Sequence, residues 1–339
     1  MNPLVSILIP AFNAQEWIAD TIRSAIAQTW QSKEIIIIDD GSTDHTLALA
    51  QRFESHCVRV FTQRNQGAAV ARNRAFSLCR GDYVQWLDAD DLLAPDKIAK
   101  QMETVKRVQD KRTLISSAWG GFMYRHERAK FVPTGLWCDL SPVEWLVCKL
   151  GQNVHMQTAT WLVSRELTEA AGIWDASMLG DDDGEYFCRV LLASNEVRFV
   201  PNARVYYRAS GSNSLSYIAR SDRKLEAHWR SMQLHIRYLR SLEDSHRTRA
   251  ACVRYLQNWL VFFYPERLDI VEQARQVARD LEGQLEVPRL SWKYSWINMM
   301  FGRALAKRAQ LFLPQIKSSF VRFWDRTLFR IQNRPMAKI

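Results

Sequence analysis

Asp88, Asp90 and Asp91 crowd three carboxylates into four residues, directly after the apolar run Tyr83–Leu87. Like charges this close repel one another unless a cation sits among them. Hard oxygen donors on a short turn suit Mg2+ or Mn2+, which keep positions open for diphosphate oxygens. A plain solvated turn with Asp91 or Asp96 as a helix cap fits the same residues. A second acid pair, Asp39-Asp40, ends the run Glu34–Ile38 and leads into Gly41-Ser42. One carboxylate there can accept the ring N–H of a uracil while its neighbour takes ribose hydroxyls. A turn followed by a helix capped at Thr43 or Asp44 is the simpler reading. Far along the chain stands Gly180-Asp181-Asp182-Asp183-Gly184-Glu185. It offers a carboxylate able to take a proton from an attacking hydroxyl, or merely an exposed acidic loop. Arg72 and Asn73, behind Asn65-Gln66-Gly67, supply a cation able to offset phosphate charge.

These groups meet only if the chain brings its strand ends together. Val5–Ile9, Glu34–Ile38, Val58–Phe61 and Tyr83–Leu87 are continuous apolar runs, as expected of parallel strands buried on both faces. Helical periodicity lies between them: Trp17, Ile18, Ile22, Ala25 and Ile26, then Leu47, Leu49, Ala50 and Phe53, then Ala68–Leu78. Such alternation predicts a doubly wound, mainly parallel α/β sheet, with ligands beyond the carboxyl ends of its strands. Pro10–Asn13, Asp39–Ser42 and Asp88–Asp91 then share one edge. Further on come a helix at Lys97–Gln109 and short strands near Leu114–Ser117 and Arg198–Val200. Helices fill Arg220–Glu286. The expected division is 1–217, with a nucleotide-binding half over 1–100 and an acceptor-side half over 101–217, followed by a helical basic region over 218–339.

Read in order, Val5 to Asn13, Asp39-Asp40-Gly41-Ser42-Thr43-Asp44, Asn65-Gln66-Gly67 with Ala71-Arg72-Asn73, and Gly81-Asp82-Tyr83 leading to Leu87–Asp91 closely resemble family 2 glycosyltransferases of the GT-A fold. The resemblance is tight from residue 4 to about 100 and looser to about Tyr217. It implies inverting transfer from a nucleotide-diphosphate sugar, most commonly a UDP-sugar, to a glycan or lipid-linked acceptor of cell-envelope polysaccharide assembly. It makes Asp39 the uracil-binding acid, with Pro10, Phe12 and Asn13 as the nucleotide floor and Arg72 beside base or phosphates. Asp88 then resembles the first acid of the D-x-D motif, near the ribose, and Asp90 the principal ligand of Mg2+ or Mn2+. Asp182-Asp183 followed by Arg189 takes the place of the family's Glu-Asp and later arginine. Asp183, then Asp182, is the expected base, and the extra acid Asp181 leaves that choice open. Arg208 to Ser214 stands where relatives carry a donor-closing loop, with Arg208 within reach of phosphate.

The 339 residues carry a net charge of +10, concentrated at one end. Ten bases and one acid, Asp325, lie after Leu290. Phe320, Phe323, Trp324, Leu328 and Ile331 recur there at helical spacing, with Arg322, Arg326 and Arg330 near the opposite face. Pro314 is expected to separate this helix from an earlier one carrying Phe301, Leu305 and Phe312. Basic amphipathic helices of this composition lie on anionic membranes or pack onto a protein body. No apolar run reaches the roughly 18 residues of a membrane span, and no signal peptide is evident. A cytoplasmic enzyme, peripheral on the inner membrane face, is the expectation. The six scattered cysteines lack metal-ligand spacing. No nucleic-acid partner is expected. The competing class is a non-catalytic nucleotide-sugar-binding or membrane-bound scaffold that kept the fold. A sugar nucleotidyltransferase would need an early Gly-rich phosphate loop, which Pro10–Asn13 is not.

Overall fold

The computed structural model describes residues 2–209, 221–288 and 291–332. In its first part, strands β1 (Val5–Ala11), β2 (Lys33–Asp39), β3 (Val58–Thr62) and β4 (Tyr83–Trp86) alternate with helices α1 (Ile18–Ile26), α2 (Thr46–Gln51) and α3 (Ala68–Leu78). A short strand β5 (Leu92–Leu93) leads into α4 (Lys97–Val108), β6 (Thr113–Phe122) and β7 (Lys130–Phe131). Next come α5 (Pro142–Gln152), β8 (Val163–Ser164), α6 (Arg165–Ala171), α7 (Asp182–Ala193) and β9 (Glu196–Arg208). Four helices end the described chain: α8 (Asp222–Leu242), α9 (His246–Phe263), α10 (Leu268–Asp280) and α11 (Ser295–Gln332).

The strands form two sheets, ordered β3-β2-β1-β4-β8 and β5-β9-β6-β7. In the first, β1, β2, β3 and β4 pair in parallel, and β8 is antiparallel at the edge. β1 and β2 are buried on both faces, so their alternate side chains belong to different cores. Ile7, Ile9, Ile35 and Ile37 pack with Ile18, Ile22 and Ala25 of α1. Leu8, Ile36 and Ile38 pack with Ala69, Ala71 and Ala75 of α3. Helices on both faces make this the expected doubly wound, GT-A-type α/β fold with a helical C-terminal extension. The second core runs on through Trp145 and Leu146 of α5 to Trp229, Met232, Tyr255 and Leu260 of α8 and α9. Apolar packing is therefore continuous across residue 217.

Two details differ from the sequence pattern. Ile26 is exposed rather than on the packed face of α1. Position 314 lies inside α11, and helical geometry breaks instead at Gly302, with φ 80° and ψ 169°. Glycine reaches positive φ without a Cβ clash. Ion pairs on both sides of position 314, Lys307–Glu266 and Arg125–Asp325, hold the helix to the body through the proline.

The turn before β4 shows how tightly the sheet edge is built. Gly81 donates its N–H to Ser6 Oγ at 2.8 Å. A Cβ there would lie 2.7 Å from Ser6 N and 2.9 Å from Leu4 O, both backbone atoms. Gly81→Ala should therefore cost about 1–3 kcal/mol in urea unfolding. Gly121→Ala, with open space around its Cβ, should stay within about 0.5 kcal/mol. Equal losses at the two positions would contradict this packing.

Candidate active site

The carboxyl ends of β1, β2 and β4 and the start of α7 come together around α3 and bound the candidate cleft. The loops after β1 and β2 are tied to each other. Asn13, at φ 48°, donates its N–H to Ser42 Oγ at 3.0 Å and accepts from Thr43 N at 2.8 Å. Pro10 is buried within β1, so Phe12 and Asn13 are what this loop exposes. Asp44 caps the entry to α2 by accepting from Thr46 N at 2.9 Å; despite its partial burial, this bond and those from Thr46 Oγ and Gln15 N hold its pKa low.

Asp39 and Asp40 divide their work. Asp40 accepts from Gln63 Nε2 at 2.7 Å, Gln66 N at 3.0 Å and Gly67 N at 2.8 Å. Its carboxylate thus clamps the entry to α3 and is not the ribose-facing neighbour expected from sequence. Asp39 accepts from Ser42 N and Thr62 Oγ1 through Oδ2. Its Oδ1 is buried with no hydrogen-bond partner. A buried acceptor left unpaired is costly, and a donor group on a ligand would satisfy it.

Arg72 is the hinge of the cleft. Its guanidinium donates to Asp88 Oδ1 and to Asp182 Oδ2, each at 2.8 Å, and lies 4.4 Å over the Trp174 ring. Burial works against the charge, but Asp88 and Asp182 hold the group more firmly protonated than usual. Arg72 therefore sits between two acid clusters. The next residue, Asn73, grips the same distant segment: it donates to Trp174 O at 2.9 Å and accepts from Trp174 N at 2.8 Å.

The three acids after β4 are not equivalent. Asp91 is buried and accepts from Arg208 N at 2.8 Å; burial first, then Asp90 and Asp88, push its carboxyl well up. It fastens β9 to the turn and caps no helix. Asp96 does occupy the N-cap position of α4, without a side-chain cap bond. Asp88, which accepts from Arg72, and Asp90 stand at the strand end. Arg208 is also inward. It donates to the carbonyls of Asp90 at 2.8 Å and Met123 at 3.1 Å, between the rings of Trp17 and Phe122. Those contacts replace the phosphate role expected for it. The remainder of that loop, Ser210 to Ser214, lies outside the described residues.

The acids at α7 face two ways. Asp181, in the left-handed region at φ 57°, accepts from Ser231 Oγ and lies 3.8 Å from His235 Nε2, both on α8. Asp182 turns to Arg72. Asp183 accepts from Thr158 Oγ1 at 3.4 Å and from Gly184 N at 2.9 Å. Burial, then repulsion from Asp182 and Asp181, pushes its carboxyl up to about 7. Arg189, the arginine that follows this acid pair, forms a bidentate pair with Glu185 at 2.8 Å. The sequence reading missed three aromatic residues and a hydroxyl here. Trp119 lies 5.2 Å from the His155 ring and 5.8 Å from Tyr207. The Tyr207 phenol is raised by burial, then by Asp91, Asp90, Asp88 and Asp183, which places it beside both acid groups. Trp174 and Thr158 complete the set. No local sequence signal marks them, because they are brought together from β6, β9 and the segments before β8 and α7.

Residues 6–165 match the model of Glycosyl transferase family 2. A Bacillus subtilis glycosyltransferase named for teichuronic acid biosynthesis, TuaG, is 44% identical over 105 residues, 30% of this chain and 42% of that protein. Chondroitin synthase of Escherichia coli is 37% identical over 141 residues, 37% of this chain and 21% of that one. The chain thus aligns with less than half the length of these relatives. The structure of S. aureus TarS 1-349 in complex with UDP-GlcNAc shares the fold, with TM-score 0.64 and 16% identity over 82% of this chain and 80% of that one.

Two outcomes follow from the geometry. Arg72→Met leaves Asp88 and Asp182 facing each other, and should destabilise by about 3 kcal/mol in urea unfolding; a loss below about 1 kcal/mol would mean the pair contributes little. Asp183 holds its proton more tightly folded, at about 7, than at the ordinary 3.8. Its contribution to stability is therefore lost as pH rises from about 4 to 7. Asp183→Asn escapes that loss, so its melting temperature should gain on wild type between pH 5 and pH 8. A difference independent of pH would contradict the raised carboxyl.

Proposed function

We propose that this chain, whose residues 6–165 are a family 2 glycosyltransferase domain, transfers a sugar with inversion from a UDP-sugar to an acceptor hydroxyl. The observation that carries the reading is the Arg72 bridge, 2.8 Å from both Asp88 and Asp182. That contact supports reading Asp88 and Asp90 as the diphosphate-side group and Asp182 and Asp183 as the base-side group of one cleft. The unpartnered Oδ1 of Asp39 suits the N–H of a uracil ring. Phe12, exposed at the lip, offers a face to the base, with Asn13 beside it. The solved relative with UDP-GlcNAc bound supports the same donor class.

A divalent cation fits this donor set. Among the described residues no three acid or histidine side chains form a ready-made cluster. Mg2+ and Mn2+ need only one or two carboxylates when diphosphate oxygens and water complete the shell. Asp90 would hold it, aided by Asp88, whose Oδ1 is engaged by Arg72. When bound, the cation neutralises charge on the departing diphosphate.

The chain's own groups do the remainder. The ionised Asp183 carboxylate takes the acceptor's proton, the freed oxygen bonds to the sugar C1, and the C1–oxygen bond to diphosphate breaks with its electron pair on the diphosphate. Asp182, tied to Arg72, is the second candidate for base, but its carboxylate is already committed to that ion pair. Tyr207, partly exposed near both acid groups, and Trp119 beside it form the acceptor wall. The acceptor is a glycan or a lipid-linked glycan, as the teichuronic acid and chondroitin names of the relatives suggest, and the enzyme works against the anionic inner face of a membrane. Of the two expected regions, 1–217 carries transfer, and within 218–339 the helices α8 and α9 brace it while α11 serves membrane placement.

A panel of UDP-, GDP- and dTDP-sugars, assayed for Mn2+-dependent release of nucleotide, tests this. Wild type should turn over a UDP-sugar, with kcat/KM rising to a plateau through about pH 7 as Asp183 ionises. Asp90→Asn and Asp183→Asn should each lower turnover at least about 100-fold, and only the former should weaken Mn2+-dependent UDP binding. Full activity of Asp183→Asn, with Asp182→Asn inactive, would move the base.

A further inference from the structure

Helix α11 is attached to the body by its charges and turns its apolar side outward. Asp325, the only acid after Leu290, points inward and accepts from Tyr124 N at 2.9 Å and Arg125 Nε at 2.7 Å. Phe329 packs near the Tyr124 ring, 6.0 Å between centroids. Arg326 reaches Glu16 at 3.5 Å, and Lys307 pairs with Glu266 at 2.5 Å while donating to Phe262 O. On the other side Phe323 and Trp324 are 66% and 63% exposed, and Leu328 and Ile331 are exposed with them. The same holds before the break at Gly302, where Trp292 and Met299 stand in solvent. Of the nineteen large apolar side chains exposed among the described residues, twelve lie between Trp292 and Ile331. A helix of a soluble body ordinarily buries its apolar stripe and solvates its charges. Here much of the described apolar stripe is exposed, and so concentrated an apolar surface marks a contact with something else.

Charge selects the occupant. The segment after Leu290 holds ten bases, and its one acid is spent on Arg125. A second copy of this chain would bring two such basic surfaces together, at the cost of like-charge repulsion. Anionic headgroups attract the bases, while Trp and Phe settle at the boundary between headgroups and acyl chains. No described helix is long and apolar enough to cross the bilayer, so the helix would lie in the interface plane.

We infer that the outward face of α11 is a lipid-docking surface for anionic membranes, held to the catalytic body by the Asp325–Arg125 and Lys307–Glu266 pairs. This deepens the membrane placement proposed above and rests on it for biological context only, because its test needs no turnover. Docking through a rigid attachment fixes how the cleft meets the bilayer; Tyr124 and Arg125, which receive Asp325, directly follow β6, the strand that carries Trp119 of the acceptor wall.

The test is flotation of the full chain with phosphatidylcholine vesicles, with and without about one quarter phosphatidylglycerol. Binding is expected only to the anionic vesicles and should weaken as salt shortens the screening length. F323S/W324S should lower the partition coefficient at least about tenfold, with melting temperature and nucleotide release unchanged. W292S/M299S, on the segment before Gly302, should lower it as well. Undiminished binding by both double variants would overturn the inference. So would failure of wild type to float while it self-associates and F323S/W324S does not, an outcome that assigns the face to a second copy. Vesicle binding without any sugar turnover would leave the docking surface standing and refute the transfer reading instead.

Discussion

One guanidinium joins acids that the chain places 16 and 110 residues away from it. Without Arg72, Asp88 and Asp182 would face each other across a half-buried cleft, and their repulsion would open it. With Arg72 present, the end of β4, the wall helix α3 and the start of α7 become one structure. Trp174 beneath the guanidinium and Asn73 on the Trp174 backbone fix the same three pieces from the apolar side. A wall built this way is stiff, and stiffness is what a site needs in order to hold a leaving group and an incoming hydroxyl in line.

Around that bridge, neighbouring acids are sorted by what they face. Asp40 is consumed by backbone N–H groups, while Asp39, one residue earlier, keeps one oxygen unpaired. Asp91 is turned in and fastened to β9, while Asp88 and Asp90 stay at the strand end. Asp181 is held by α8, Asp182 by Arg72, and Asp183, among the described residues, by the neutral donors Thr158 Oγ1 and Gly184 N alone. In each cluster a structural acid anchors the loop beside an acid left able to do chemistry. The helical extension takes part directly, because Ser231 of α8 donates to Asp181, the N-cap residue of α7.

Much of this was legible in the sequence where the signal is local. The strands β1 to β4 follow from their apolar runs, α3 from its place between two of them, and the strand-end acids from their position after buried runs. What was not legible depends on partners far away in the chain. Nothing local distinguishes Asp91 from Asp90, since Arg208 is needed to turn one of them inward. The sequence pattern puts Arg208 within reach of phosphate and Arg189 behind the Asp182-Asp183 pair; in the fold a carbonyl pair with two rings holds the first and Glu185 the second. Pro314 looked like a helix boundary because proline removes a backbone donor; packing on either side carried the helix through, and Gly302 took the break. The stripe of Phe323, Trp324, Leu328 and Ile331 was plain, but which way it faced depended on where Asp325 found its partner.

The account therefore stands on Arg72 coupling two acid clusters, and a double-mutant cycle on Asp88→Asn and Asp182→Asn measures that coupling in urea unfolding. Two carboxylates sharing one buried cation should show a coupling free energy of about 1 kcal/mol or more. Additivity within about 0.5 kcal/mol would mean that the clusters do not sense each other, and the single cleft would have to be abandoned.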